Sequence, residues 1–224
     1  KVEYLDNINK IWRCGSLVPL NKEIRARARS QLKGRWGTPI LVFFVFTVIM
    51  VITSFFPILV LHLAGPLLVG VSSFCLKFID EKPASVSNLF DGFKNTVSSI
   101  ALYFWMLLWI VLWSLLLIIP GIIKAISYSM CYYVLADNPE VGVREALKIS
   151  QRITEGYKGR IFLLYLSFIG WALLSFLTLG IGYLWLMPYI NISFANLFKE
   201  LKAEAIANKR FTSELAGAGQ AVSS

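Results

Sequence analysis

Lys124 stands in the stretch LLLIIPGIIKAISYSM, residues 115–130, a charge four positions after a proline in the most apolar part of the chain. On a helix, Ser127, Tyr128 and Cys131 follow at i+3, i+4 and i+7 and share the lysine's face. A second polar group, Tyr189, Asn191, Ser193 and Asn196, gathers just after Pro188. An ammonium among hydroxyls and amides is suited to an anion or a zwitterion, so Lys124, Tyr128, Tyr189 and Asn191 are the candidate ligand-binding residues. A structural role competes with that reading. Hydroxyls and amides bond between membrane helices at about 0.6 kcal/mol each, and Lys124 lies only ~4.5 Å of helix rise beyond Gly121. From there its stem can carry the charge to an outer membrane surface. Burial at a bilayer centre would cost ~2.5–3.5 kcal/mol, and the apolar runs hold no carboxylate to offset it. The spacing favours an outer anchor over an internal solute site.

Other chemistry finds few residues to use. His62 is the single histidine, and Cys14, Cys75 and Cys131 are too widely spaced for a metal knuckle or a disulfide framework. The chain shows no G-x-S-x-G elbow, no P-loop lysine, no dinucleotide fingerprint and no H-E-x-x-H. The carboxylates Asp80, Glu81, Asp91, Asp137, Glu145 and Glu155 are scattered among capping and salt-bridge contexts. The expectation is a protein without catalytic activity, metal or cofactor.

The elements that must position the polar residues are set by composition. Of the 224 residues, 57% are hydrophobic and 16% charged, against about 25% charged in soluble domains. Lys and Arg outnumber Asp and Glu by 22 to 13. In a membrane protein that excess orients loops and meets anionic lipid, so lipids and a membrane-protein partner are expected, and nucleic acid is not.

Along the chain, NKEIRARARSQLKGRWG starts at Asn21, a good helix cap, and repeats apolar residues at Ile24, Ala28, Leu32 and Trp36. This predicts a basic amphipathic helix on a membrane surface, with Arg25, Arg27 and Arg29 on its polar side. Residues 39–63 form the first apolar span, AGP at 64–66 a turn, and 66–79 a return. A polar loop with NLFDGF follows, then a span over 96–119, a reversal at the PG of 120–121, and a return over 122–136. Asn138 and Pro139 should start a second interfacial helix, with Val143, Leu147 and Ser150 on one face and Arg144, Lys148 and Arg152 as a basic ridge. Spans over 161–179 and 183–198, joined by GIG, complete the pattern.

The fold class expected is all-α: a polytopic membrane bundle of about six transmembrane helices in three hairpins, with interfacial amphipathic helices. The return segments end in NLFDGFKN, VREALKIS and NLFKELKAE, a pattern that repeated hairpins and simple membrane anchoring would both produce. All acidic residues, and all basic ones except Lys124, fall in the segments on one side of this topology, which sets both termini inside. Residues 1–20 read as an N-terminal extension, either translated upstream sequence or an ordinary flexible arm. Residues 21–207 read as one integral-membrane domain and 208–224 as a flexible tail.

The segments NKEIRARARSQLKGRWG, GPLLVG, LFDGF, LLLIIPGIIKAISYSMCYYVLADNP, EALKIS and SFIGWALLSFLTLGIGYLWLMPY occur in this order over about residues 21–205. In this the chain resembles a bacterial integral-membrane family, domain of unknown function 975. That family is broadly similar to the membrane domains attached to some bacterial glycerophosphodiester phosphodiesterases, whose catalytic domain is not found in this sequence. The resemblance implies a multi-pass protein of the bacterial cytoplasmic membrane and brings no functional residues with it.

Overall fold

The structure, a computed structural model, describes residues 19–116, 118–178, 180 and 182–207. The expected tail and all but the last two residues of the expected extension lie outside the described residues. The described chain is helical, with no strand among the described residues. Its helices are α1 (Asn21–Leu32), α2 (Gly37–Ser54), α3 (Pro57–Ile79), a 3-10 helix (Val86–Asn95), α4 (Thr96–Leu116), α5 (Ile118–Tyr128), α6 (Cys131–Asp137), α7 (Val143–Thr154), α8 (Lys158–Leu177) and α9 (Tyr183–Ala207).

Four stretches, Gly37–Ser54, Ile58–Ile79, Val86–Leu112 and Lys158–Leu177, are long and apolar enough to cross a membrane. Broad apolar faces on α2, α4 and α8, including Phe44, Leu108, Leu163 and Leu173, are exposed. That outward apolarity suits lipid rather than water.

α1 buries Ile24, Ala28 and Leu32, the residues whose i+4 spacing marked its inner face. Its start differs from expectation. The Leu20 N–H is met by the Glu23 carboxylate at 3.3 Å, and Asn21 instead donates to the Arg160 carbonyl at 2.9 Å. The asparagine fastens α1 to α8 instead of capping its own helix.

The first reversal is also displaced. The chain leaves α2 at Ser54, extends at Phe56 (φ −125°, ψ 91°) and enters α3 at Pro57, while Gly65 and Pro66 lie inside α3. A proline disfavours helical geometry in the residue before it but suits the first helical position. Pro57 therefore makes the turn that the sequence assigned to AGP. The glycines nearby serve close packing: a Cβ on Gly70 would come within 1.8 Å of the Leu89 carbonyl oxygen, and one on Gly92 within 1.9 Å of that of Pro66. The 3-10 helix thus lies backbone against backbone on α3.

Ten residues is long for a 3-10 helix, and side chains sustain it. Asn88 Oδ1 accepts the Ser85 N–H at 2.9 Å. The Asp91 carboxylate accepts from Lys77 at 2.7 Å, Asn88 at 2.9 Å and Ser73 at 3.2 Å, and pairs with Lys94 at 2.7 Å.

The segment expected as one return over 122–136 is broken. α5 begins at Ile118, which puts Pro120 and Gly121 in its first turn, and α5 and α6 are separated at Ser129 and Met130. Ser127 and Ser129 both turn their hydroxyls back onto carbonyls of α5, at 2.8 Å each, which bends helices. α7 starts at Val143, after a turn over 138–142, so Asn138 and Pro139 do not open it. At the other hairpin Gly180 takes φ +85° and donates to the Ser175 carbonyl at 3.1 Å, as the GIG turn requires.

Candidate functional site, a basic pocket around Lys124

α7 is anchored on its apolar side by Ala146, Leu147, Ile149 and Ile153, all buried. Its small hydroxyl residues then bring it against α5. Ser150 Oγ donates to the Ser127 carbonyl at 2.7 Å, and Thr154 Oγ1 reaches the same oxygen at 3.5 Å. With the apolar and hydroxyl residues turned inward, the opposite side of α7 carries its cations past Lys124.

The result is a pocket of about 190 Å³ lined by Lys124, Ser127, Lys148, Gln151, Arg152, Glu155 and Lys158. Four cations from α5, α7 and the start of α8 share this space with one carboxylate. At ~4 Å two like charges repel by about 1 kcal/mol even in bulk water, and more where solvent is partly excluded. Such a pocket favours an anion, and its lysines and arginine are the donors that phosphate oxygens accept from.

The four candidate ligand residues do not converge. Lys124 lines the basic pocket; Tyr128 is buried in an apolar cluster with Val69, Leu102, Met106, Cys131 and Leu147, and its hydroxyl reaches the pocket only through a hydrogen bond with the lining residue Gln151. Tyr189 lies on α9 beside Phe168, with Arg29 above its ring at 5.8 Å from the centroid. Asn191 turns its amide onto the Met187 carbonyl at 2.9 Å, and its own carbonyl accepts the Tyr133 hydroxyl at 3.1 Å. Tyr128 and Asn191 are thus engaged in packing and in helix hydrogen bonds.

Lys124 has neighbours that the sequence reading did not give it. An outer anchor would keep it across the membrane from residues 137–160, yet it shares a pocket with Lys148, Arg152 and Lys158. The cause is the break at Ser129 and Met130, which allows α5 to meet α7 directly. The partners Gln151, Glu155 and Lys158 were missed. The signal available was the Ser150 and Thr154 pair beside the basic ridge, which marks a helix that docks by hydroxyls.

The basic surface residues divide likewise. Arg27 is ion-paired with Glu200, Arg29 donates to the Tyr189 hydroxyl at 3.4 Å, and Arg25 offers its carbonyl to the same hydroxyl at 3.5 Å. Arg144 lies over the Trp105 ring at 5.7 Å. Lys148 and Arg152 face the pocket.

A larger cavity of about 750 Å³ lies where α3, α6 and α9 meet α1. Gln31 and Asn196 join across it, the asparagine amide donating at 2.7 Å. Its cations are met by carboxylates: Arg27 by Glu200, Lys77 by Asp91, Lys199 by Asp80 and Lys202 by Asp137. No group of three or more His, Cys, Asp or Glu that could hold a metal occurs among the described residues.

Two stretches, residues 20–127 and 105–205, match a family described as protein of unknown function, DUF975. No curated protein and no solved structure matches the chain. The matched residues run from the first turn of α1 to the last turns of α9 and take in the Lys124 pocket whole, and the chain belongs to the DUF975 family.

Proposed function

We propose that this protein is a non-enzymatic, multi-pass protein of a bacterial cytoplasmic membrane that binds a phosphate-bearing anion, foremost a lipid headgroup, in the Lys124 pocket. The observation that carries this reading is the ratio of four lining cations to one carboxylate in about 190 Å³. A lysine in an apolar helix is costly unless water or an anion reaches it. A phosphate at the membrane surface relieves that cost and the mutual repulsion of the four cations together.

The test is native mass spectrometry of the full chain with phosphatidylglycerol, phosphatidylcholine and free glycerol phosphate. Occupancy of one phosphatidylglycerol per chain, counted by stoichiometry, should fall about tenfold in Lys124→Gln, ~1.4 kcal/mol, and recover in Lys124→Arg. Competition by glycerol phosphate would identify the headgroup as sufficient. The same number of phosphatidylglycerols retained per chain by the wild type and Lys124→Gln would remove the proposal.

The topology proposed with it keeps both termini inside. With Lys124 beside residues 148–158, this lysine is no longer an exception to the positive-inside rule. Ile118 to Lys124 rises only ~9 Å, too short to return across ~30 Å of hydrocarbon. The α4 and α5 pair is therefore read as a hairpin that enters from the inner face, although α4 is itself long and apolar enough to cross; α9, less apolar than the four stretches above, takes its place beside α2, α3 and α8, and the six crossings read from the sequence become four. A cysteine at Ile122, on a cysteine-free background, should resist labelling from outside intact cells; labelling there would restore six crossings. A solute pathway is the second reading. It is favoured by the 750 Å³ cavity with its Gln31 and Asn196 amides.

A further inference from the structure

A third concavity, of about 480 Å³, opens where Arg29 and Trp36 meet α8 and α9. It is a different place from the Lys124 pocket, since Lys158 and Trp171 are separated by ~20 Å of rise along α8. Its walls are Trp36, Trp171, Leu174, Trp185 and Leu186. The two hydroxyls on the wall are committed internally: Ser175 Oγ donates to the Trp171 carbonyl at 2.8 Å, and Thr178 Oγ1 donates to the Ser175 carbonyl at 2.9 Å while accepting the Gly182 N–H at 3.1 Å. The polarity left over belongs to Arg29 and Tyr189.

Those two groups are set for an anion. The Arg29 guanidinium donates one long bond to the Tyr189 hydroxyl and otherwise lies over its ring. No carboxylate lines the groove among the described residues. Arg27, on the same helix, is neutralised by Glu200, whereas Arg29 faces a groove with no lining carboxylate among the described residues. Along α9, Tyr189 is ~9 Å of rise from Tyr183 next to Gly182. The groove therefore has a cationic end and an aromatic length, the division of an amphiphile.

We propose that this groove binds one anionic phospholipid, its phosphate on Arg29 and Tyr189 and the upper part of one acyl chain along Trp36, Trp171 and Trp185. Guanidinium and phosphate form charge-assisted, bidentate bonds, and a shaped aromatic wall holds a chain by dispersion, which flat contact with mobile lipid does not match. This site stands independently of the Lys124 pocket. Ordinary surrounding lipid needs no charge and would use the exposed faces at Phe44, Leu108 and Leu163 equally.

The experiment places the full chain in phosphatidylcholine vesicles with a trace of phosphatidylglycerol carrying a diazirine on its acyl chain, and maps the photo-crosslinks by peptide mass spectrometry. Labelling within residues 171–189 should exceed that within 41–59 and 104–112 several-fold. Excess phosphatidylglycerol should compete, and excess phosphatidylcholine or free glycerol phosphate should not. Arg29→Gln should lower the groove signal about tenfold, as loss of a charge-assisted phosphate contact implies. Arg29→Lys should lower it less, and Lys124→Gln should leave it unchanged. Tyr189→Phe, which keeps the ring and the fold, should give an intermediate loss and serves if Arg29→Gln is poorly folded. Uniform labelling of all apolar faces, competition by glycerol phosphate, or a signal indifferent to both variants would each overturn the proposal.

Discussion

The 750 Å³ cavity beside α3 and α9 and the 190 Å³ pocket between α5, α7 and α8 are both rich in lysine and arginine. In the cavity, Arg27, Lys77, Lys82, Lys199 and Lys202 each have a carboxylate within 4.0 Å. In the pocket, four cations share the walls with Glu155. Exposed pairs contribute only ~0–1 kcal/mol each, so the matched cavity gains mainly positional order: its pairs hold α1, α3, α6 and α9 in register. A charge already met by the chain has little left to offer a ligand. Where four lining cations outnumber the one lining carboxylate, positive charge remains in excess, and that excess is what the proposed anion would meet.

Beside the matched cavity, α3 and the 3-10 helix that carries Asp91 pack backbone against backbone, and a change there has the largest expected effect. Gly70→Ala would push a Cβ into the Leu89 carbonyl, a backbone atom that cannot swing aside. The expected cost is ~3 kcal/mol or more, the upper end for overpacking, seen as loss of monodisperse protein after extraction or a large drop in Tm. A variant as stable as the wild type would show that the 3-10 helix does not lie against α3 as described. A smaller loss is expected from Asp91→Asn, which replaces the carboxylate facing Lys77 and Lys94 by a neutral amide. Thermal unfolding should register ~1–3 kcal/mol; no change would mean that the hub is ornamental and the two regions are alike. The pocket should respond least in stability. Lys124→Gln and Lys148→Gln are expected to stay within ~0.5 kcal/mol of the wild type while retention of an anionic headgroup falls. Marked destabilisation by either would show that the pocket's charges are balanced within the chain, and the contrast with the cavity would disappear.

Part of this was legible from residue order. The i+4 row of Ile24, Ala28 and Leu32 gave α1 and its buried face, because helical periodicity is a local property. Arg144, Lys148 and Arg152 were recognisable as a ridge, but their use was not. That depends on which helix faces them, and Ser150 settles it by bonding the Ser127 carbonyl across 23 positions of sequence. That Tyr128 and Asn191 do not line the Lys124 pocket has a related reason. Polarity in an apolar segment marks a hydrogen bond without saying whether the partner is a ligand or the helix itself, and for Asn191 it is the Met187 carbonyl.

Prolines show the boundary most plainly. Three places, Pro57, Pro66 and the PG at 120–121, could each have turned the chain, and sequence chose the second and third. In the structure Pro57 opens α3 after an extended Phe56, and Pro66 stays helical with Gly92 packed against its carbonyl. Composition and periodicity alone determined that the chain is helical, apolar enough for a membrane and basic at its helix ends, since each of these is a sum over neighbouring residues. Which proline turns the chain, which carboxylates meet the cations of the large cavity and which helices bring four cations to one small pocket were decided only by tertiary structure. Those outcomes depend on groups far apart in sequence meeting within a few ångströms, where contact and Coulomb energies become large enough to override local preference.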